Sequence, residues 1–145
     1  MKRILIINGP NLNLLGRRQP EIYGHTTMAE ILDGLNRTYP DLQIDYFQSN
    51  HEGDIIDRLQ DAGYGPANTR PEGIVLNAGG YTHTSVAIAD AVAAIDIPVI
   101  EVHLSDIANR EPFRRHSYLT PVCRAIITGH GPAVYAEAID LLQNL

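Results

Sequence analysis

An α/β fold with a parallel sheet covered on both faces is what this sequence predicts, and three observations predict it. Short apolar runs alternate with segments of helical period, the apolar runs end in turn residues, and chemically capable polar residues cluster just after those ends. At 145 residues the chain has the usual size of one domain, so a single domain over residues 1–145 is expected. No internal repeat, low-complexity tract or linker divides it.

The elements follow in order. Arg3 to Ile7 is an apolar run stopped at Asn-Gly-Pro, the pattern of a buried strand. After a long polar connection, Thr27 and Glu30 form a capping box, and Met28, Ile31, Leu32 and Leu35 repeat at helical spacing until Pro40. Leu42, Ile44 and Tyr46 alternate as a second strand, Asn50 is placed to cap a second helix, and Ile55, Ile56 and Leu59 give that helix its apolar stripe. Gly73 to Leu76 is the third strand, Thr82 to Ala94 a helix, and Pro98 to His103 the fourth strand. Asn109 to His116 reads as a short helix or turn and Arg124 to Thr128 as the fifth strand, with Pro132 near the first turn of a closing helix. The expected architecture is a flavodoxin-like three-layer sandwich with a five-stranded parallel sheet in the order 2-1-3-4-5. Its ligand site should lie beyond the carboxyl ends of the strands.

Composition removes several function classes. The hydrophobic fraction of 44% and charged fraction of 19% fit an ordinary globular chain rather than a disordered one. No apolar run has the length of a membrane span, and the first residues enter a strand at once, so cytoplasmic residence is expected. A net charge of −6 argues against nucleic acid. It also makes the arginine pairs Arg17, Arg18 and Arg114, Arg115 candidates for a local anion site. The one cysteine, Cys123, lies in an apolar run and reads as a small buried hydrophobe. The six histidines show none of the close metal-ligand spacings, so no metal is expected. No Gly-x-Ser-x-Gly pattern supports Ser85 or Ser105 as a nucleophile.

Three polar clusters follow strand ends: Asn8 to Asn11 with Arg17, Arg18 and Tyr23; Asn77 to His83; and Glu101, His103 and Ser105. The first connection, Asn8 to about Thr26, is far longer than a strand-to-helix link needs. It is either a solvated loop or a lid that hinges at Gly16 and Gly24 and carries Arg18 and Tyr23 over a ligand. Residues two apart share a strand face, which puts Glu101 beside His103. That histidine is either a proton shuttle or a hydrogen-bonded structural residue.

Four blocks carry a resemblance: GPNLNLLGRRQPEIYG (9–24), FQSNHEGDIID (47–57), NAGGYTHTSVAIADA (77–91) and EVHLSDIANREPFRRHS (101–117). In order and spacing they resemble the type II 3-dehydroquinate dehydratases. The resemblance implies anti elimination of water from 3-dehydroquinate through an enolate, without metal or organic cofactor. It implies Tyr23 as the base in its phenolate form beside Arg18, Asn11 as the enolate stabiliser through a water, and His103 as the acid oriented by Glu101. One arginine about 4 Å from an anion, at an effective dielectric near 20, contributes roughly 4 kcal/mol, so Arg18 suffices in principle. The substrate carboxylate is expected on the Leu104 and Ser105 amides, the Ser105 hydroxyl and Asn77, and the ring hydroxyls on Arg114, His83 and Asp90. The family assembles as dodecamers of trimers, so a homo-oligomer is implied, with Asp90 acting across a subunit contact.

Three positions depart from the family pattern. Ala78 stands where proline is usual, which should loosen a turn; Asp106 stands where asparagine is common, adding charge beside the substrate segment; and Val134 stands where glycine or serine is frequent. A Schiff-base route to the same reaction is ruled out by composition, because the sole lysine is Lys2, at the opposite end of the first strand from the clusters. A flavin module would want a Ser/Thr-rich phosphate loop after strand one, and a phospho-receiver acidic residues there. The Asn-Gly-Pro-Asn found at that place suits neither.

Overall fold

In the computed structural model, which describes residues 1–145, strands β1 (Arg3–Asn8), β2 (Gln43–Gln48), β3 (Gly73–Asn77), β4 (Val99–His103) and β5 (Ala125–Thr128) form one parallel sheet. Its order is β2-β1-β3-β4-β5, as the alternating pattern predicts. The helices are α1 (Pro20–Tyr23), α2 (Met28–Thr38), α3 (Glu52–Tyr64), α4 (Val86–Ala93) and α5 (Ala133–Gln143).

Side chains alternate across each strand, so each strand feeds two cores. Ile4, Ile6, Val75, Ile100 and Val102 pack with α2 and α5 on one face. Leu5, Ile7, Ile74, Leu76 and Val99 pack with α3 and α4 on the other. Ile4 to Ile7 and Ile74 to Leu76 are wholly buried, which is why the central strands read as continuous apolar runs instead of alternating ones. Each such side chain contributes roughly 1.5–3 kcal/mol relative to leaving it in water.

Register carries the polar residues to one edge. Asn8 pairs with Asn77, and Leu76 with Glu101, so the loops that leave β1, β3 and β4 emerge side by side. The Thr27–Glu30 capping box forms as expected and starts α2. Gly9 lets the first loop pass close to the third, because a Cβ there would lie 2.4 Å from the Ala78 carbonyl oxygen.

Two local readings are corrected and two others gain detail. Asn50 does not cap α3: the N-cap is His51, and the Asn50 Oδ1 instead accepts the Asn11 amide at 3.0 Å and Gln48 Nε2 at 3.2 Å. The helix expected from Thr82 starts at Val86, because a 3-10 turn over Gly79–His83 precedes it and Ser85 Oγ accepts the Ile88 amide at 2.9 Å. The segment near Asn109 to His116 is two 3-10 turns, Ile107–Asn109 and Pro112–Arg114. The long first connection holds a 3-10 turn, Leu12–Leu14, and α1.

Candidate active site

One pocket opens at the carboxyl end of the sheet, between the loops that follow β1, β3 and β4. Asn11, Arg18 and Tyr23 line it from the first loop, Asn77 and His83 from the third, and His103, Leu104, Ser105 and Arg114 from the fourth. Nine of the residues singled out in the sequence thus meet at one cavity. Glu101 lies directly behind His103, and Asp90 is exposed on α4, away from the lining of this chain's pocket. Of each arginine pair only Arg18 and Arg114 face the cavity, since neighbouring side chains diverge.

The first loop is held in unusual backbone. Asn11 at φ 70° and Gln19 at φ 44° are the two non-glycine residues with positive φ, and both lie within the stretch, Pro10 to Tyr23, that lines the pocket. Gly16 and Gly24, the expected hinges, also have positive φ, at 89° and 81°. Strained backbone of this kind persists only when its surroundings fix it. Here the Asn11 amide is held by Asn50, and the Gly9 amide donates to the Asn77 carbonyl at 2.7 Å.

Tyr23 sits between two guanidinium groups. Arg110 Nη1 donates to its hydroxyl at 2.9 Å, and the Arg110 and Arg18 guanidinium carbons stand 5.6 and 5.5 Å from its ring centroid. Arg110 also reaches Ser105 Oγ at 3.4 Å. Sequence reasoning missed Arg110: it looked for paired arginines, and the only available signal was an arginine inside the fourth block. Arg110 and Tyr23 are 87 residues apart, a contact that no local pattern encodes.

On the opposite wall, His103 Nε2 lies 2.5 Å from Glu101 Oε2, with both side chains buried. Thr120 Oγ1 donates to Glu101 Oε1 at 2.6 Å and Ser117 Oγ to Oε2 at 2.7 Å. Burial works against the Glu101 carboxylate, but the hydrogen bonds from His103, Thr120 and Ser117 outweigh it and hold the carboxyl below its ordinary range. The sequence reading did not single out either hydroxyl.

His83 stacks near His103, with ring centroids 6.4 Å apart. Its Nδ1 is 2.7 Å from the His116 carbonyl oxygen, which can only accept, so Nδ1 carries the hydrogen and Nε2 is the acceptor of the neutral ring. Burial pushes its pKa down and favours that neutral form.

Behind the pocket Asn77 Nδ2 donates to the Tyr135 hydroxyl at 3.3 Å, which donates to Asn8 Oδ1 at 2.7 Å. This buried chain of polar groups fixes Asn77 against α5. Cys123 has its thiol pushed up to about 12, first by burial and then by the Glu101 charge, in keeping with a cysteine that does no chemistry. Asp106 turns its charge onto the Ala108 amide at 3.1 Å and the Asn109 side chain at 2.6 Å, capping the turn before Arg110, and it does not line the main pocket. Ala78 and Val134 are wholly buried in the two cores.

Known proteins resemble this chain over nearly its whole length. The family described as "Dehydroquinase class II" matches residues 2–143. A 3-dehydroquinate dehydratase 1 of Corynebacterium efficiens is 49% identical over 144 residues, covering 98% of this chain and 92% of that protein. A catabolic 3-dehydroquinase of Podospora anserina is 49% identical over 149 residues, covering 96% and 92%. The crystal structure of a type II dehydroquinase from Butyrivibrio crossotus superposes with a TM-score of 0.92 at 43% identity, covering 98% of this chain and 97% of that one.

Proposed function

The chain belongs to the class II dehydroquinases, and from that premise we infer that it is a hydro-lyase that removes water from 3-dehydroquinate to give 3-dehydroshikimate. The observation that carries this reading is one pocket with a tyrosine flanked by two arginines on one wall and a histidine backed by a buried carboxylate on the other.

In the proposed reaction Tyr23, as its phenolate, takes the proton beside the ketone, and the electron pair moves onto the ketone oxygen as an enolate. Asn11, through a water, donates to that oxygen. The enolate then re-forms the carbonyl, a carbon–carbon double bond forms, and the hydroxyl leaves as water with a proton from His103. Arg18 and Arg110 favour the phenolate by charge, and Arg110 adds a direct hydrogen bond. Glu101 orients the His103 ring.

For the substrate carboxylate the Leu104 and Ser105 amides, the Ser105 hydroxyl and Asn77 are the proposed partners. Ring hydroxyls would meet Arg114 and His83, the latter accepting at Nε2. Asp90 completes the set only from a neighbouring copy, because its exposed place on α4 is away from its own chain's pocket. The reading therefore includes a homo-oligomer, a dodecamer of four trimers, which the mass of the particle in solution checks. It also includes a cytoplasmic enzyme that works without metal or organic cofactor.

The test is direct. Purified protein with 3-dehydroquinate and a metal chelator should produce the ultraviolet absorbance of a conjugated enone, and Tyr23→Phe should lose nearly all of it. A wild-type protein that forms no enone would remove the substrate assignment.

A further inference from the structure

Glu101 is a carboxylate with no exposed surface, and three donors converge on it: Thr120 Oγ1 on Oε1, and Ser117 Oγ and His103 Nε2 on Oε2. Neither Ser117 nor Thr120 lines the pocket. We propose that these two hydroxyls are positioning residues for the general acid, fixing the Glu101 carboxylate against which His103 is oriented. The proposal rests on the reaction inferred above and extends it to residues beyond the pocket wall.

The geometry leaves the hydroxyl protons little choice. A serine hydroxyl has one donor and two acceptor positions. Ser117 Oγ accepts the Leu119 amide at 3.1 Å and the Thr120 amide at 3.2 Å, which fills both acceptor positions and commits its proton to Glu101. The same two bonds start the 3-10 turn Thr120–Val122 that aims Thr120 at Oε1, and the wholly buried Leu119 anchors it. The carboxylate is thus gripped at both oxygens, by Ser117, the last residue of the fourth motif block, and by Thr120 in the turn that follows it. Rotation of the carboxylate would break a bond to Thr120 or to Ser117 as well as the one to His103.

The other titratable or charged groups facing this pair are few. His83 stacks over His103 from the Gly79–His83 turn, Arg114 comes from the Pro112–Arg114 turn, and Cys123 follows the Thr120 turn. Cys123 stays neutral under any assay condition near neutral pH, its thiol being pushed up to about 12. The direction of a pH effect therefore comes from the hydroxyls. With the Thr120 bond removed, the carboxylate charge is less satisfied and holds the imidazolium proton more tightly. The alkaline limb of the kcat profile then moves to higher pH.

The diagnostic variant is Thr120→Val, which keeps the shape and removes the donor, with Thr120→Ser as the conservative rescue. Thr120→Val should lower kcat roughly tenfold, the scale of one hydrogen bond to a charged group, leave KM nearly unchanged and raise the alkaline limb. Thr120→Ser should restore both. In a Glu101→Gln chain, Thr120→Val should cost no further kcat, because the hydroxyl acts through the carboxylate. Titration of the His103 ring followed by nuclear magnetic resonance reads the same upward shift without any substrate. The proposal is overturned if Thr120→Val keeps the wild-type kcat and ring titration, or if Val and Ser lose kcat alike with the limb unmoved. An equal loss in the Glu101→Gln chain also overturns it. If wild-type protein forms no enone, the inferred reaction fails instead, and the His103 titration still decides the role of Thr120.

Discussion

The Tyr23 hydroxyl receives its hydrogen bond from Arg110, while Arg18 lies over the ring with its guanidinium carbon 5.5 Å from the centroid. A charge-assisted hydrogen bond is stronger and more directional than a charge held at ring distance. Arg110, which the sequence reading passed over, therefore contributes at least as much as Arg18 to the proposed phenolate. Arg110→Leu should lower kcat roughly a hundredfold, by analogy with the loss of one preorganised donor to a reacting oxygen, and Arg18→Leu should cost no more. Steady-state kinetics of the two variants, with thermal melts to confirm folding, checks the ranking. Arg114 differs in kind: its Nε stands 3.0 Å from Glu111 Oε2, so its position is set by a neighbour three residues away. Glu111 is itself held below the ordinary carboxylate range, first by its own backbone amide and then by the Arg110 and Arg114 charges.

Local signals and long-range contacts divide the elements between them. α2 begins where the sequence places it, because Thr27 and Glu30 satisfy each other's backbone amides within four residues. Thr27→Ala should cost about 1 kcal/mol and lower the melting temperature by roughly 3 °C, with kcat unchanged. Calorimetry and the enone assay together test both halves of that statement. α3 has a capping residue within reach in Asn50, yet the Asn50 side chain is engaged by Asn11, 39 residues away. The second motif block thus helps fix the left-handed turn that presents Asn11 to the pocket. The start of α4 moved for a comparable reason: the residues from Gly79 to His83 form a tighter turn that brings His83 to the cavity wall.

For the molecule as a whole, the pH dependence of stability comes from groups whose titration changes on folding. Glu101 is held below its ordinary value of 4.5, so its contribution is present above that pH and is lost as acid titrates the folded carboxyl. Tyr39 is raised from 10.0 to about 12, first by burial and then by its hydrogen bond to Asp140, and Tyr135 is raised further by burial. Their contributions are complete below pH 10.0 and are lost as the pH rises from there through their folded values. Denaturant midpoints should therefore be highest between pH 6.5 and 9.0, begin to fall below the first as the unfolded His83 gains a proton and above the second as the unfolded Cys123 thiol ionises, and fall further at both extremes. Glu101→Gln should blunt the acid fall, and Tyr135→Phe the alkaline one. Equilibrium unfolding across pH measures this, and an unchanged alkaline fall in Tyr135→Phe would contradict the assignment.

The sequence by itself determined the sheet, its order, the family and most of the pocket. Apolar runs such as Ile4 to Ile7 must be buried on both faces, and the parallel connections between them bring the loops after β1, β3 and β4 to one edge. Tyr23, His103 and Asn77 were legible because they lie in those loops or at those strand ends, within long motifs. Only the tertiary structure decided which arginine touches Tyr23, where the Asn50 side chain goes, and which hydroxyls hold Glu101. Each of those contacts joins residues on different elements, and side-chain direction at a loop depends on the packing of both. Residue spacing sets what shares a face along one element; it carries no information about what a neighbouring loop presents to that face.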